Sequence, residues 1–350
     1  MKIKRQKTDE FNSVHSGVIF LAAIMAVLGI QEIIRLINRL GNSPLDNPYV
    51  MLLANMSLQL GFVLAAVIVP LVFGVKFFRG TGFRKITVAQ GFISAAIAVV
   101  CFGGFFFINM ALSAFFQLIN FDLGGGIPMG TPGQIVLALI MTVVLAGTCE
   151  ELVFSGGLMW GIKKDFGKWA AILLSGVAFS LMHMSPLQTF YQFFLGCVIG
   201  YVAIEFKSII PAIIIHAGSN AVAIGLSAAL SGLAGAEEVE PLARNQLIMS
   251  MVWFIIIGVV LLSVAIAVII LLVKFGKWLK QRKEPLAAPV VAVETQDPFD
   301  GTPVFEPAVM LPPPDTEKRK RQIIFGVLFG ITILICAAGW VERLMIGLGG

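Results

Sequence analysis

The sequence predicts an all-α, polytopic transmembrane helical bundle of about nine spans. Three observations carry that prediction. The chain is 58% hydrophobic and only 13% charged, against roughly 25% charged in soluble domains, and its mean hydropathy is +0.92. Apolar runs recur at or near the ~20 residues that a helix needs to cross a bilayer. The basic joints between runs alternate with Gly-rich or acidic ones, the charge asymmetry of membrane proteins.

Taken in order, the runs fall at 17–37, 50–75, 88–118, 134–160, 169–185, 187–204, 209–230, 251–273 and 323–341. The third is long enough to tilt or to continue past the bilayer. The fifth and sixth are short and nearly fused at Met184–Leu187. The first has a basic flank like a signal peptide, but it is long and no small-residue cleavage site follows, so a retained span is expected. Lys2, Lys4, Arg5 and Lys7 precede it. Later basic joints are Lys76/Arg79/Arg84/Lys85, Lys163/Lys164/Lys168, Lys207, and Lys274 to Lys283 with Lys318 to Arg321. Nine spans with the amino end inside put every one of these on the cytoplasmic side. The opposite joints, 41–49, 119–133 and 231–250, are Gly-rich or acidic (Glu237, Glu238, Glu240), and only Arg35 and Arg39 run against the pattern. An integral protein of a bacterial plasma membrane, amino terminus cytoplasmic, is the expected setting.

The organisation follows. Residues 1–87 hold two amino-terminal spans, 88–230 a dense membrane core, 231–283 an extra span with a basic flank, and 318–350 a last span. Residues 284–317 contain eight prolines and no sustained apolar face. Such a segment is expected to be a disordered cytoplasmic loop, where a partner protein could dock, although a linker is the plainer reading. The net charge of +5 speaks for loops near anionic membrane lipids, and no aromatic-interleaved basic stretch points to nucleic acid. Cys101, Cys149, Cys197 and Cys336 lie in or at apolar runs without metal-like spacing, and behave as small buried hydrophobes.

Against this background a few polar residues stand out. Glu150 and Glu151 are adjacent within the fourth run, and Leu152 to Trp160 extends the apolar stretch beyond them. Ionisable groups at membrane depth are costly, at ~2.5–3.5 kcal/mol on insertion scales, and mark functional sites. Successive helical residues point ~100° apart, so one acid faces a working cavity while the other braces a neighbouring helix. Counted from Gln134, Glu150 lies about 24 Å along the span at ~1.5 Å per residue, toward the cytoplasmic side. His183 ends the next run, with Phe179 one turn earlier as a wall for its ring. His216 and Asn220 stand at i, i+4, one face of a helix, beside Gly218 and Ser219, which permit a close helix approach. Each alone is as well explained by core packing or an interhelical clasp. His15, in the polar amino-terminal flank, is given no role.

Together they make a hydrolytic set. A carboxylate takes a proton from water and creates the nucleophile, an imidazole orients that water or protonates the leaving amine, and an imidazole with a carboxamide stabilises an oxyanion, where one donor is worth ~10²–10³ in rate. No cofactor is required. The competing chemistry is a divalent metal such as zinc, whose ligands would be Glu150, His183 and His216, although the helical His-Glu-x-x-His pattern is absent.

Glu150-Glu-Leu-Val-Phe-Ser-Gly156, Phe179-x-x-x-His183 and His216-x-x-x-Asn220, in that order on successive runs, resemble the CPBP intramembrane protease family (CAAX protease and bacteriocin-processing, or Abi, proteins), which includes the Rce1-type prenyl endopeptidases. The resemblance covers about residues 134–225. It implies an intramembrane endopeptidase whose cavity opens to the cytosol. Glu150 and His183 would activate water, His216 and Asn220 would bind the oxyanion, and Glu151 would support them. The family pattern places Arg five residues after the first glutamate, where this chain has Ser155. Ser155 stands at i+4 from Glu151 and is positioned to donate to it instead.

The leading expectation is cleavage of membrane-tethered or lipidated peptides. The phenylalanines at 105–107, 115, 116, 190, 193 and 194 are candidates to hold a lipid tail, with core packing and lipid contact the plainer role for most. The rival readings are a non-catalytic immunity or scaffold protein of the same fold, and a proton-linked transporter, against which the lack of repeats or broken-helix pairs argues.

Overall fold

In the computed structural model, residues 10–41, 43–121, 126–234, 242–283 and 316–349 are described. The Pro-rich stretch lies outside them except for Thr316 and Glu317, which open the last helix. All long elements among the described residues are helices: α1 Ser13–Leu40, α2 Pro48–Phe73, α3 Val88–Leu118, α4 Pro132–Phe166, α5 Lys168–Met182, α6 Pro186–Phe206, α7 Ile210–Ala234, α8 Arg244–Lys283 and α9 Thr316–Gly347. They match the nine expected runs. Eight are long and apolar enough to span a membrane, and α5 is the short one.

Local chemistry sets the helix ends. The side chain of Asn12 accepts from the His15 N–H while His15 Nδ1 accepts from the Asn12 N–H, so the third histidine completes a capping box. Thr87 and Gln90 do the same for α3. Pro48, Pro132 and Pro186 occupy first turns, where a missing N–H costs nothing. α2 stops at Gly74, whose φ of +69° suits glycine.

The basic joints converge on one end of the bundle. Lys168 and Lys277 both bind Glu205. Arg84 and Lys163 lie over the Trp160 ring. Arg321 grips Asp165, which also takes the Ser13 hydroxyl at 2.6 Å and so ties α1, α4 and α9 together. We call this the basic end. The far end carries the carboxyl ends of α1 and α9, with Arg35 beside Glu32.

Helix α4 reaches further than the fourth run suggested. It begins at Pro132 and continues to Phe166, which moves Glu150 from the cytoplasmic side to mid-helix. Lys168 to His183 is about 22 Å of helix at ~1.5 Å per residue, and Phe166 back to Glu150 is about 24 Å, so acid and imidazole share one depth. α7 starts higher, because the Ile209 N–H is bonded to the Gly82 carbonyl and Gly82 abuts Trp160 of α4. That brings His216 to the same level only two turns from its helix start.

Candidate active site

Two stretches of α4, Ile140–Ala146 and Leu152–Leu158, wind as π-helix, and Glu150 and Glu151 sit on the α turn between them. Wide π turns recur where a helix must present functional groups. Here they flank the turn from which the two adjacent acids diverge.

Glu151 turns inward. Its Oε1 lies 2.9 Å from His216 Nδ1 on α7, and its Oε2 accepts the Ser155 hydroxyl at 2.5 Å. Both side chains of the Glu151–His216 pair are almost fully shielded, at 1% and 3% exposed. Ser155 thus occupies the partner position that a cation would fill in the family pattern. The helices can approach because Gly147 faces Ala217; a Cβ on Gly147 would stand 2.9 Å from that of Ala217. On the other side of α7, Gly218 and Ser219 lie against Ala98 of α3.

Glu150 turns the other way, into a cavity of about 440 Å³ that it shares with His183. Its Oε1 accepts from Gln59 Nε2 of α2 at 3.0 Å. Its Oε2 and the Gln59 Oε1 are buried without any hydrogen-bond partner. His183 Nδ1 lies 2.8 Å from the Phe179 carbonyl. A carbonyl only accepts, so Nδ1 carries the proton and Nε2 of the neutral ring is the acceptor. The buried Phe179 ring stands edge-on between the two imidazoles, 5.2 Å from His183 and 5.3 Å from His216.

Asn220 does not border this cavity. Its carboxamide donates to the Thr142 carbonyl at 2.8 Å, a backbone group of the first π stretch, and so clasps α7 to α4. His216 is likewise absent from the cavity wall. Among the described residues no three His, Cys, Asp or Glu side chains are placed to hold a metal ion. The conditional set Glu150, His183 and His216 is not brought together as a ligand cluster.

The mouth is the main departure from expectation. The cavity runs between Val27, Gln31 and Arg35 of α1, Asn55 and Gln59 of α2, and Gly339 and Arg343 of α9. It therefore climbs from mid-depth to the far end. Toward the basic end, Phe20, Phe62, Phe154 and Phe179 close it, with Phe154 at 5.8, 6.1 and 5.4 Å from the other three rings. An amino terminus in the cytosol and a cavity open to the cytosol cannot both hold, because α1 starts at one end and the mouth lies at the other. Nor do the phenylalanines proposed for a lipid tail line the site. Phe105 packs on Phe194 and Phe107 on Phe254, Phe116 packs on Phe121, and Phe115 and Phe190 are exposed.

Gln59 was missed in the sequence, though Asn55-x-x-x-Gln59 inside an apolar run has the same i, i+4 signature as His216-x-x-x-Asn220. Residues 132–222 match the family model described as type II CAAX prenyl endopeptidase Rce1-like. The match spans about a quarter of the chain and contains both acids, both histidines and Asn220, but neither α2 nor α9. No curated protein and no solved structure matches the chain.

Proposed function

From the premise that its membrane core is Rce1-like, we propose that this protein is an intramembrane endopeptidase in which Glu150 activates water. One observation carries the reading: two buried acceptors, Glu150 Oε2 and Gln59 Oε1, lie without a protein donor where the cavity also presents His183. A buried polar atom left unpaired costs ~1–3 kcal/mol, so the spot favours a molecule with two hydrogens to give. Water fits that description.

The chemistry follows. Glu150 draws a proton from that water as its oxygen attacks a peptide carbonyl, Gln59 Oε1 keeps the second hydrogen, and His183, in the same cavity wall, helps orient the attack. The new acid on Glu150 then passes its proton to the leaving amine as the C–N bond breaks. A bound peptide that fills the passage displaces water from around Glu150, which strengthens each of these interactions. We assign His216, Glu151 and Ser155 to positioning: they lock α7 on α4 and hold the Glu150 turn. Asn220 holds the π stretch in the same way. The N–H groups expected at the oxyanion face Glu151 and Thr142 instead, whereas the Gln59 amide, which gives one N–H to Glu150, has a second to offer the reacting centre. The substrate is a membrane-tethered peptide. Membrane lipids surround the bundle, and no step requires a metal or cofactor.

The test is a comparison of peptide termini in membranes bearing the parent chain or Glu150→Gln. Termini that vanish with the variant, at equal protein abundance, support catalysis. Identical termini would remove the protease reading and leave the scaffold or immunity reading in its place.

A further inference from the structure

We infer, on the protease reading above, that the Glu150 cavity receives its peptide from the side of the membrane opposite the basic joints, so that the substrate is an exported or outward-anchored polypeptide segment and not a cytosolic tail. Three independent features place the opening there.

The first is direction. Lys163, Lys168, Lys207, Lys277 and Arg321 stand at helix ends that the packing gathers at one end of the bundle. Basic joints stay on the cytoplasmic side, against anionic lipid. The cavity wall is built from the other halves of its helices: Gln31 and Arg35 lie past the middle of α1, Asn55 near the start of α2, and Arg343 near the close of α9.

The second is closure. Below Glu150 the chain packs Phe20, Phe154 and Phe179 ring to ring, and the Ser16 hydroxyl binds the Gly157 carbonyl at 2.8 Å, cinching α1 to α4. A second cavity of about 350 Å³ does exist at the basic end, around Trp160, Lys163 and Lys207, but it shares no wall residue with the first. A cytosolic peptide has no path to Glu150 through that layer.

The third is the chemistry of the passage. Gln31, Asn55 and Gln59 offer carboxamides on the way down, and Glu32, Arg35, Glu342 and Arg343 ring the mouth with both charge signs. Carboxamides pair with peptide N–H and C=O groups, and a charged rim stays hydrated. Between these polar groups Ile24, Val27, Leu28, Phe62 and Ile335 make the wall partly apolar, which suits the apolar side chains of a peptide. The passage therefore suits a polypeptide backbone arriving from water at the far face.

The test reads sidedness without needing a known substrate. In the full chain in intact cells, Gln31→Cys, Arg35→Cys and Arg343→Cys each place a thiol at the mouth, and Lys163→Cys places one at the basic end. Cys101, Cys149 and Cys336 are buried and Cys197 is partly exposed, so the parent chain gives the background. A membrane-impermeant maleimide is expected to label the mouth thiols in intact cells and Lys163→Cys only after permeabilisation, with at least about a tenfold difference in each direction. Three mouth positions guard against one that fails to insert. Mouth thiols that label only after permeabilisation overturn the inference. A second arm maps the peptide ends lost with Glu150→Gln. Ends in exported segments support the inference. Ends in cytosolic segments overturn it and leave the protease reading standing, whereas no Glu150-dependent ends at all remove both.

Discussion

Adjacent glutamates with opposite duties make a sharp prediction, because the two substitutions should fail in different ways. Glu151→Ala removes two hydrogen bonds, to His216 at 2.9 Å and Ser155 at 2.5 Å. It leaves an imidazole whose side chain is 3% exposed facing an empty space. Breaking one partner of such a buried pair costs ~3–5 kcal/mol, a large share of the ~5–15 kcal/mol by which ordinary domains are stable. Glu150→Gln is different. The side chain keeps its shape, its remaining oxygen still accepts from Gln59, and the atom it changes had no partner to lose. Its folding cost should stay below ~1 kcal/mol, while the loss of a general base lowers the rate by ~10²–10⁴. Thermal unfolding of the purified chains in one detergent separates the two. Glu151→Ala should melt many degrees below the parent, and Glu150→Gln within a degree or two of it. Adding His216→Ala to Glu151→Ala should cost less than the sum of the singles, since the pair is already broken. A Glu151→Ala chain as stable as the parent, or a Glu150→Gln chain that unfolds early, would refute the division of labour.

Gln59→Leu should lower cleavage by about 10²-fold, on the scale of a lost catalytic hydrogen-bond donor, with a modestly lower melting temperature because Glu150 Oε1 loses its donor; an unaffected rate would show that the α2 amide is a bystander. His183→Ala should abolish Glu150-dependent peptide ends without displacing α7, because its ring nitrogen is bonded only to its own helix; retained cleavage would remove His183 from the mechanism. Gly147→Leu should prevent assembly of the core, since even a Cβ there stands 3.0 Å from the Ala217 Cα and overpacking costs ~1–3 kcal/mol before the side chain is considered; wild-type thermal stability would count against the helix approach described for α4 and α7.

Much of this was legible in the chain. The nine helices follow from apolar run length, and their ends from Asn12, Thr87, Pro132 and Gly74, whose signals are local. The opposed orientation of Glu150 and Glu151 follows from helical pitch. The remainder depended on where runs meet. Glu150 read as nearer the cytoplasmic side because run length does not show that α4 starts at Pro132 and ends at Phe166. That His216 lies as deep as His183 has no local signal, because nothing in the sequence states that Ile209 is bonded to Gly82, which lifts the start of α7. Asn220 read equally well as donor or clasp until Thr142, 78 residues away, supplied the carbonyl. Gln59 was legible but overlooked: an amide inside an apolar run is costly wherever it lacks a partner.

The site is completed by helices that the Rce1-like segment does not contain. Residues 132–222 supply the acid, the imidazole and the brace. Taken alone they would leave Glu150 exposed on a helix flank with no amide at its Oε1. α2 contributes Gln59, and α1 and α9 turn the flank into a walled passage. α9 reaches that place through contacts at both of its ends: Arg321 on Asp165 at the basic end, and Trp340, whose indole N–H donates to Thr189 at 2.7 Å, beside the cavity. Gly339 allows Met184, the neighbour of His183, to lie directly against α9. The same helix that closes the passage is thus packed on the strand of chain that carries the imidazole. Changes in α9 should therefore alter which peptides are cut, whereas changes at Glu150 should alter whether any is. On the proposed reading, the segment that matches the family model carries the chemistry and the helices outside it shape the passage.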